Sequence, residues 1–403
     1  MKHQSSIFNK WLSTWKLVWI IVASVRGFSV ETSARKRLGK KSFLLKEEKG
    51  YLKKVATADE LKQFLHSNSM RKPGSTYYRK AWIQWRGMAI DSIRYNLSRN
   101  LPTPSDKANF ENLFFRLGVA ADVGEMPSFT DAGARSGYAL EFFCRGRNLA
   151  NIFLDPLFYN DYPQQWENAL LNSPMLGGVT PQSYNIISLG GGPAFDHVGA
   201  ALAATYSASG EELMGDLKTT VFDYEEGWSD LVEAMNNSTK KMLQQTNINC
   251  YWGGKCDITK SLSHPINQAC QKEVEHTNLF TCQYCVAENS NLLHDSEFIF
   301  FRDLFESVSE GTIFIFTETT PRVWPEFYKL IQNDLSCGMQ IHFRLNGKQM
   351  LIQKNTSQGE KKCENILTER DGKELKKFEK ISMYHERKIN SGWERQQQKN
   401  RGS

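Results

Sequence analysis

Two rhythms of apolar and polar positions divide the chain. Between residues 55 and 175 apolar side chains recur at helical spacing; from Tyr184 onward, short apolar runs alternate with helical stretches. In the first region Thr57-Ala58-Asp59-Glu60 predicts a helix start, with two acids placed favourably in the first turn. From Thr76 to about Ser98 the run carries Ile83, Ile90, Ile93 and Leu97 at helical spacing, and Pro102 and Pro104 stop it. Gly137–Phe158 predicts another apolar helix, broken at Gly146. In the second region strands are predicted at Asn185–Leu189, Thr219–Asp223, Asn249–Trp252, Leu279–Ala287 and Gly311–Thr317. Helices fall between them at Phe195–Ser207, Gly227–Gln245 and Glu297–Ser309. Strands alternating with helices mark a parallel α/β sheet.

The end of this region changes direction. Met339–Leu345 and Lys348–Gln353 flank Asn346-Gly347, and Asn-Gly between alternating runs is the strongest short hairpin signal. The fold class is therefore α/β: a mostly parallel sheet closed by a C-terminal antiparallel β-hairpin and preceded by a mainly helical N-terminal domain. The boundaries read as a leader at 1–41, the helical domain at 42–178, the α/β domain at 179–355 and a charged tail at 356–403. The tail is poor in apolar clusters and is expected to be solvated or disordered.

Charge sharpens this division. The net +6 of the 403-residue chain belongs to its ends: residues 1–54 carry +10 and residues 360–403 carry +4, which leaves 55–359 at −8. A basic chain with an acidic middle gives no support to nucleic-acid binding from charge alone. The first 41 residues join Lys2, Lys10 and Lys16, a nine-residue apolar stretch Leu17–Val25, and an Arg/Ser-rich segment. Nine residues cannot span a bilayer but suit a signal-peptide core. With Phe28 beyond it, the arrangement resembles the two-part leaders of algal plastid proteins. It points to a signal or transit peptide, hence an organelle (a plastid among them) or secretion. Without a functional leader the chain stays in the cytoplasm. No transmembrane span is expected in the mature protein, and the sequence sets no oligomeric state.

Eight cysteines are too few for a disulfide scaffold in a chain of this length. Cys282-Gln283-Tyr284-Cys285 invites a metal or redox reading. A strand through Leu279–Ala287, however, turns the two sulfurs to opposite faces, and no glycine is present to make a knuckle. Buried free thiols are expected, and no metal site.

The candidate chemistry starts where the first strand meets Gly190-Gly191-Gly192-Pro193-Ala194 and a helix follows. Glycine lets backbone approach a ligand, and a helix N-terminus adds free N–H groups. Asp196 just beyond either receives a ligand ammonium group or caps the helix. Asp223 ends the second strand, and a carboxylate there accepts two hydroxyl hydrogen bonds at once. A dinucleotide fingerprint would need glycine at Phe195, which argues against a nicotinamide enzyme. No Gly-x-Ser-x-Gly, His-Glu-x-x-His or phosphate-loop motif is present.

With these residues in place the chain resembles the class I S-adenosylmethionine-dependent methyltransferases over roughly residues 180–354. The resemblance implies a Rossmann-like, seven-stranded sheet whose last two strands form the hairpin. It implies S-adenosyl-L-methionine as cofactor, held by Gly190, Gly191, Gly192 and Ala194 at the turn. Asp223 with Tyr224 would take the ribose, and Asp257 with Ile258 the adenine; Asp257 as a helix cap is the competing reading. The end of the fourth strand is where such enzymes bring substrate to the methyl group. Here that stretch places Tyr284, Glu288 and Asn289 as catalytic candidates, and the family's Asn/Asp-Pro-Pro-Tyr/Phe motif is absent. After the fifth strand, Arg322 and Trp324 are candidates for an anion contact and a stacking surface. The activity implied is methyl transfer to an N or O acceptor, a small molecule or an RNA base. The interleaved Tyr77-Tyr78-Arg79-Lys80-Ala81-Trp82-Ile83-Gln84-Trp85-Arg86 reads either as an RNA platform or as ordinary helix packing. The alternative from another class is a non-catalytic protein that binds cofactor or a partner on the same fold.

Overall fold

The structure, a computed structural model, describes residues 55–69, 72–123, 128–158, 173–176, 183–333, 338–344, 347–354 and 367–383. The leader assignments lie outside these residues. So do Leu345 and Asn346 of the hairpin turn.

The helical region begins as its sequence requires. Thr57 caps α1 (Ala58–Asn68), its hydroxyl taking the Glu60 N–H while the Glu60 carboxylate takes the Thr57 N–H. Then follow α2 (Thr76–Arg99), α3 (Lys107–Val123), α4 (Ala132–Glu141) and α5 (Arg145–Leu154). The break between α4 and α5 falls at 142–144, just ahead of Gly146. On α2 the buried stripe is Tyr78, Trp82, Trp85, Ala89, Ile93 and Leu97, and Ile83 is on the outer face, 48 % exposed. The aromatic rings dominate burial because each covers more area than isoleucine. Tyr78, Trp82 and Trp85 gather around Tyr206, at centroid distances of 5.0, 5.0 and 5.5 Å.

The second region interleaves strands and helices in the expected order: β1 (Tyr184–Leu189), α6 (Phe195–Ser207), β2 (Leu217–Asp223), α7 (Ser229–Leu243), β3 (Ile248–Lys255), β4 (Leu279–Gln283), α8 (Ile299–Ser307), β5 (Ile313–Thr317), α9 (Trp324–Asn333), β6 (Met339–Arg344) and β7 (Gln349–Lys354). They form one seven-stranded sheet in the order β3-β2-β1-β4-β5-β7-β6. The first five strands run parallel, and β7 is antiparallel to both β5 and β6, with Ile315 opposite Leu351 and Ile341 opposite Ile352.

Alternation along the strands builds two cores. Ile186, Val221, Ile313, Ile315 and Leu351 face the helices α1, α2, α5, α6 and α7. Ile187, Phe222, Phe314, Phe316 and Ile352 face α8 and α9 on the other side. The α5–α6 contact is close because Gly199 has no side chain: a Cβ there would lie 2.8 Å from the Gly146 carbonyl oxygen.

Several boundaries shift by one or two residues, and three differences from the sequence reading are larger. β3 runs to Lys255, with a register shift against β2 at Val221/Phe222. β4 ends at Gln283, because Tyr284 takes a left-handed conformation (φ +58°) that no strand continues through. The charged tail is not simply solvated: residues 369–383 form a helix, α10, with Leu375 and Phe378 buried against Phe343 and its neighbours. Asp371 anchors it, accepting from the Phe343 N–H at 3.1 Å and from Thr368 at 2.7 Å and lying 3.0 Å from His342 Nδ1. The fully buried Asp371 carboxyl is held below the usual carboxylate range by His342 and these donors against the opposing effect of burial.

Candidate cofactor and acceptor site

The strand ends β1, β2, β4 and β5 open on one edge of the sheet, where α/β folds bind ligands. Gly190 (φ +59°) and Gly192 (φ +48°) turn the chain sharply after β1. A Cβ on Gly190 would meet Cys285 Sγ at 2.5 Å, and one on Gly191 would meet Ser188 Oγ at 2.2 Å. The first two glycines thus serve the protein's own packing. Only Gly192 leaves space, its nearest neighbour being the Trp228 ring at 3.7 Å. Ala194, the third small residue, is fully buried in a left-handed conformation (φ +68°). The turn, Phe195, Asp196, Gln283, Tyr138 and Arg145 line a cleft with about 290 Å³ of empty space, part of it open to solvent.

Asp223 sits where the sequence places it. One carboxylate oxygen accepts the Gly192 N–H at 2.9 Å, and the other the Glu225 N–H at 3.0 Å. The residue after it, Tyr224, is exposed. Asp257 accepts from the Thr259 N–H and hydroxyl at 2.9 and 2.6 Å inside a turn; no helix starts at 258–262, so it is not a helix cap, and Ile258 beside it is buried. Asp196 does not cap α6. The helix α6 has no side-chain cap, and the Asp196 carboxyl instead accepts from Ser188 at 2.7 Å, from Thr281 at 2.5 Å and from the Gln283 amide. It joins β1 to β4 beneath the glycine turn, and burial raises its pKa despite those donors.

Beyond β4 the chain wraps around Arg145, a residue the sequence reading missed. The guanidinium of Arg145 lies 4.1 Å from the Tyr284 ring centroid and 4.5 Å from that of Phe142, and it donates to the Tyr138 hydroxyl. The Tyr284 hydroxyl accepts from Asn148 Nδ2 at 3.1 Å. The turn at Tyr284 also corrects the cysteine argument. No glycine was needed to bend the chain, and both thiols are free, Cys282 buried and Cys285 partly so. Among the described residues no three His, Cys, Asp or Glu side chains are grouped to hold a metal ion.

Asn289 is buried, its amide nitrogen donating to the Cys285 carbonyl at 2.8 Å and its amide oxygen without a protein donor. The Gln283 amide oxygen is also buried without a donor. Glu318, at the end of β5, is 2 % exposed and takes the Ala287 N–H at 3.1 Å. Arg322 donates to the Ala287 carbonyl at 3.0 Å, which fastens the loop after β5 to the loop after β4. Trp324 offers no stacking surface: it is fully buried against Phe316 and Phe327, with its indole N–H on the Gly347 carbonyl.

Electrostatics separates three carboxyls at and beyond the strand ends. Burial pushes Asp223 up to about 6, opposed by the Glu225, Gly192 and Tyr224 N–H groups. Burial pushes Glu318 up to about 7, opposed by the Ala287 and Val286 N–H groups. Glu288 rises to about 8: burial is the main cause, Arg145 opposes it, and the charges of Glu318 and Asp223 add to it. No hydrogen-bond donor among the described residues reaches Glu288.

No protein-family model matches the chain, and no curated protein does. Among solved structures it is similar to a putative class I S-adenosylmethionine-dependent methyltransferase from Listeria monocytogenes. That likeness has 12% identity and a TM-score of 0.31, and it covers 81% of this chain and 98% of that one. It is also similar to an arsenic(III) S-adenosylmethionine methyltransferase from Chlamydomonas reinhardtii, with 10% identity, a TM-score of 0.30, and coverage of 53% and 75%. The sheet has five parallel strands arranged 3-2-1-4-5 with a reversed β7 between β5 and β6. The chain therefore has the Rossmann-like fold of the class I S-adenosylmethionine-dependent methyltransferases.

Proposed function

We propose that the chain is an S-adenosylmethionine-dependent methyltransferase acting on a small molecule. The observation that carries this reading is Asp223, whose two carboxylate oxygens each take one backbone N–H and keep further lone pairs for a diol. The same hydrogen bond fixes Gly192, the one glycine of the turn with open space beside it. A ribose would sit on Asp223 and the amino-acid end of the cofactor against the cleft of Gly192, Asp196 and Arg145. Bound S-adenosylmethionine supplies a methyl group already activated by its sulfonium. The chain then has to position the acceptor, exclude water and receive a proton; positioning alone can supply ~7–11 kcal/mol. Tyr284, Glu288 and Asn289 stand on the loop that performs these tasks in this reading, and Arg322 holds that loop without touching a ligand. A small acceptor is favoured over RNA because the aromatic residues of the basic stretch, Tyr78, Trp82 and Trp85, are buried in the core, and Tyr77 alone is exposed.

Calorimetric titration with S-adenosylmethionine, S-adenosylhomocysteine and NAD tests the reading. Both sulfur nucleotides should bind and NAD should not, and Asp223→Ala should weaken binding about 100-fold, as expected for two lost hydrogen bonds to a charged group. Folded protein that binds neither sulfur nucleotide would leave an interaction module on this fold.

A further inference from the structure

The end of β4 and the loop after it are rich in hydrogen-bond acceptors that lack donors. The Gln283 amide has given its nitrogen to Asp196, and its oxygen is left unpaired in the wall of the cleft. The Asn289 amide, 5 % exposed, has given its nitrogen to the Cys285 carbonyl, and its oxygen is likewise unpaired. Between them Glu288 is reached by no donor among the described residues. A ligand that completes this set brings donors and no acceptors. A hydroxyl has one donor and two lone pairs of its own, whereas an ammonium group has three donors and none.

Charge points the same way. Asp196, Asp223, Glu288 and Glu318 share their surroundings with two guanidinium groups, Arg145 and Arg322. With Glu225 beside Asp223 the carboxyls outnumber the guanidinium groups further, and the cofactor's one net positive charge does not offset the excess. The groups facing Glu288 are Arg145 from α5, Tyr138 from α4, Asp223 from β2, Glu318 from β5 and Cys285 on its own loop. In the free protein, protons meet the shortfall of positive charge, and a bound cation displaces them. The acidic middle of the chain, −8 over residues 55–359, attracts such a ligand.

We infer that the methyl acceptor is an amine that arrives protonated, its N–H groups taken by Glu288 and by the amide oxygen of Gln283, which lines the cleft beside Arg145. This rests on the methyltransferase reading above. Glu288 accepts one N–H proton, the neutral amine rotates about its C–N bond to turn the freed lone pair from Glu288 to the methyl carbon, and that pair forms the N–C bond. The C–S bond breaks with its electron pair leaving on sulfur as a neutral thioether. The proton on Glu288 then passes to water.

The test uses the full chain saturated with S-adenosylhomocysteine and titrated with benzylammonium and, as its neutral counterpart, benzyl alcohol. Calorimetry in two buffers of different ionisation enthalpy reads affinity and proton release together. Benzylammonium should bind at least about tenfold tighter than the alcohol and release protons at neutral pH. Glu288→Gln should remove both the preference and the proton release while homocysteine-nucleotide affinity stays within about twofold. Equal binding of the alcohol, no binding of benzylammonium, or an ammonium affinity unchanged in Glu288→Gln overturns the inference. A Glu288→Gln variant that loses the nucleotide instead assigns Glu288 to the cofactor and also overturns it. Failure of the unsubstituted protein to bind the nucleotide at all is a different result, and it overturns the methyltransferase reading itself.

Discussion

Asp223 at the end of β2 and Glu288 beyond β4 are near enough for the charge of one to raise the other, yet the protein holds them in different ways. Three backbone N–H groups oppose the effect of burial on Asp223, two oppose it on Glu318 and none on Glu288. The carboxyl pKa values climb in that order, from about 6 through about 7 to about 8. The β1–β2 side therefore presents a carboxylate already oriented and charged near neutrality, as a ribose contact needs. The β4–β5 side presents groups whose hydrogen bonds are incomplete until a ligand arrives. Preorganised binding on one side and ligand-completed binding on the other is what the difference teaches.

The largest effect should come from breaking the contact that joins the two sides. Gly190→Ala puts a methyl group 2.5 Å from Cys285 Sγ and a side chain at φ +59°. Overpacking and left-handed backbone together should cost about 2–4 kcal/mol in denaturant unfolding. Adding Cys285→Ala should recover the steric part, about 1–2 kcal/mol, and leave the backbone part. Equal stabilities for the single and double variants would mean that the turn and the β4 loop are not coupled through this sulfur.

A smaller effect isolates the acceptor side by pH. The Glu288 carboxyl is raised in the folded protein, so the folded state holds its proton between pH 4.5 and about 8 while the unfolded chain has released it. Its contribution to stability is complete below that window and is lost as pH rises through about 8. Glu288→Gln should flatten this decline and stabilise the protein at alkaline pH by on the order of 1 kcal/mol, a rise in Tm of about 2–4 °C, since solvent reaches part of the side chain. Parallel pH profiles for the two proteins would show that Glu288 is not desolvated.

The two sides were also unequally legible in the sequence. Local signals mark the β1–β2 side: three consecutive glycines, a strand-end acid and small residues along α6, each needing only its neighbours to be recognised. Arg145 and Tyr138 come from helices more than 130 residues before Tyr284 and Glu318, and no periodicity announces which helix end closes over a sheet edge. Asp196 was visible, but whether it caps α6 or joins β1 to β4 depends on strand pairing. Two other departures did leave a signal. Trp324, Phe327 and Ile331 repeat at helical spacing, which marks Trp324 as core rather than surface. Leu367, Asp371, Leu375 and Phe378 repeat likewise in the tail, a stripe hidden by the charged residues around it.

The smallest effect asks whether backbone strain, rather than hydrogen bonding, distinguishes the two sides. Each carries a non-glycine residue at positive φ, Ala194 at +68° before α6 and Tyr284 at +58° after β4. If strain is shared, it does not explain why only the β4 side is electrostatically unfinished. Ala194→Gly loses a buried methyl group and adds chain entropy to the unfolded state, but it relieves the left-handed backbone; these effects nearly cancel, for a net change below about 1 kcal/mol. Ala200→Gly in the middle of α6, equally buried but with helical backbone, has nothing to relieve and should cost about 1–2 kcal/mol. The difference between the two variants measures the strain at Ala194. Equal costs would mean the turn is relaxed with alanine in place, and strain would then belong to the β4 side alone.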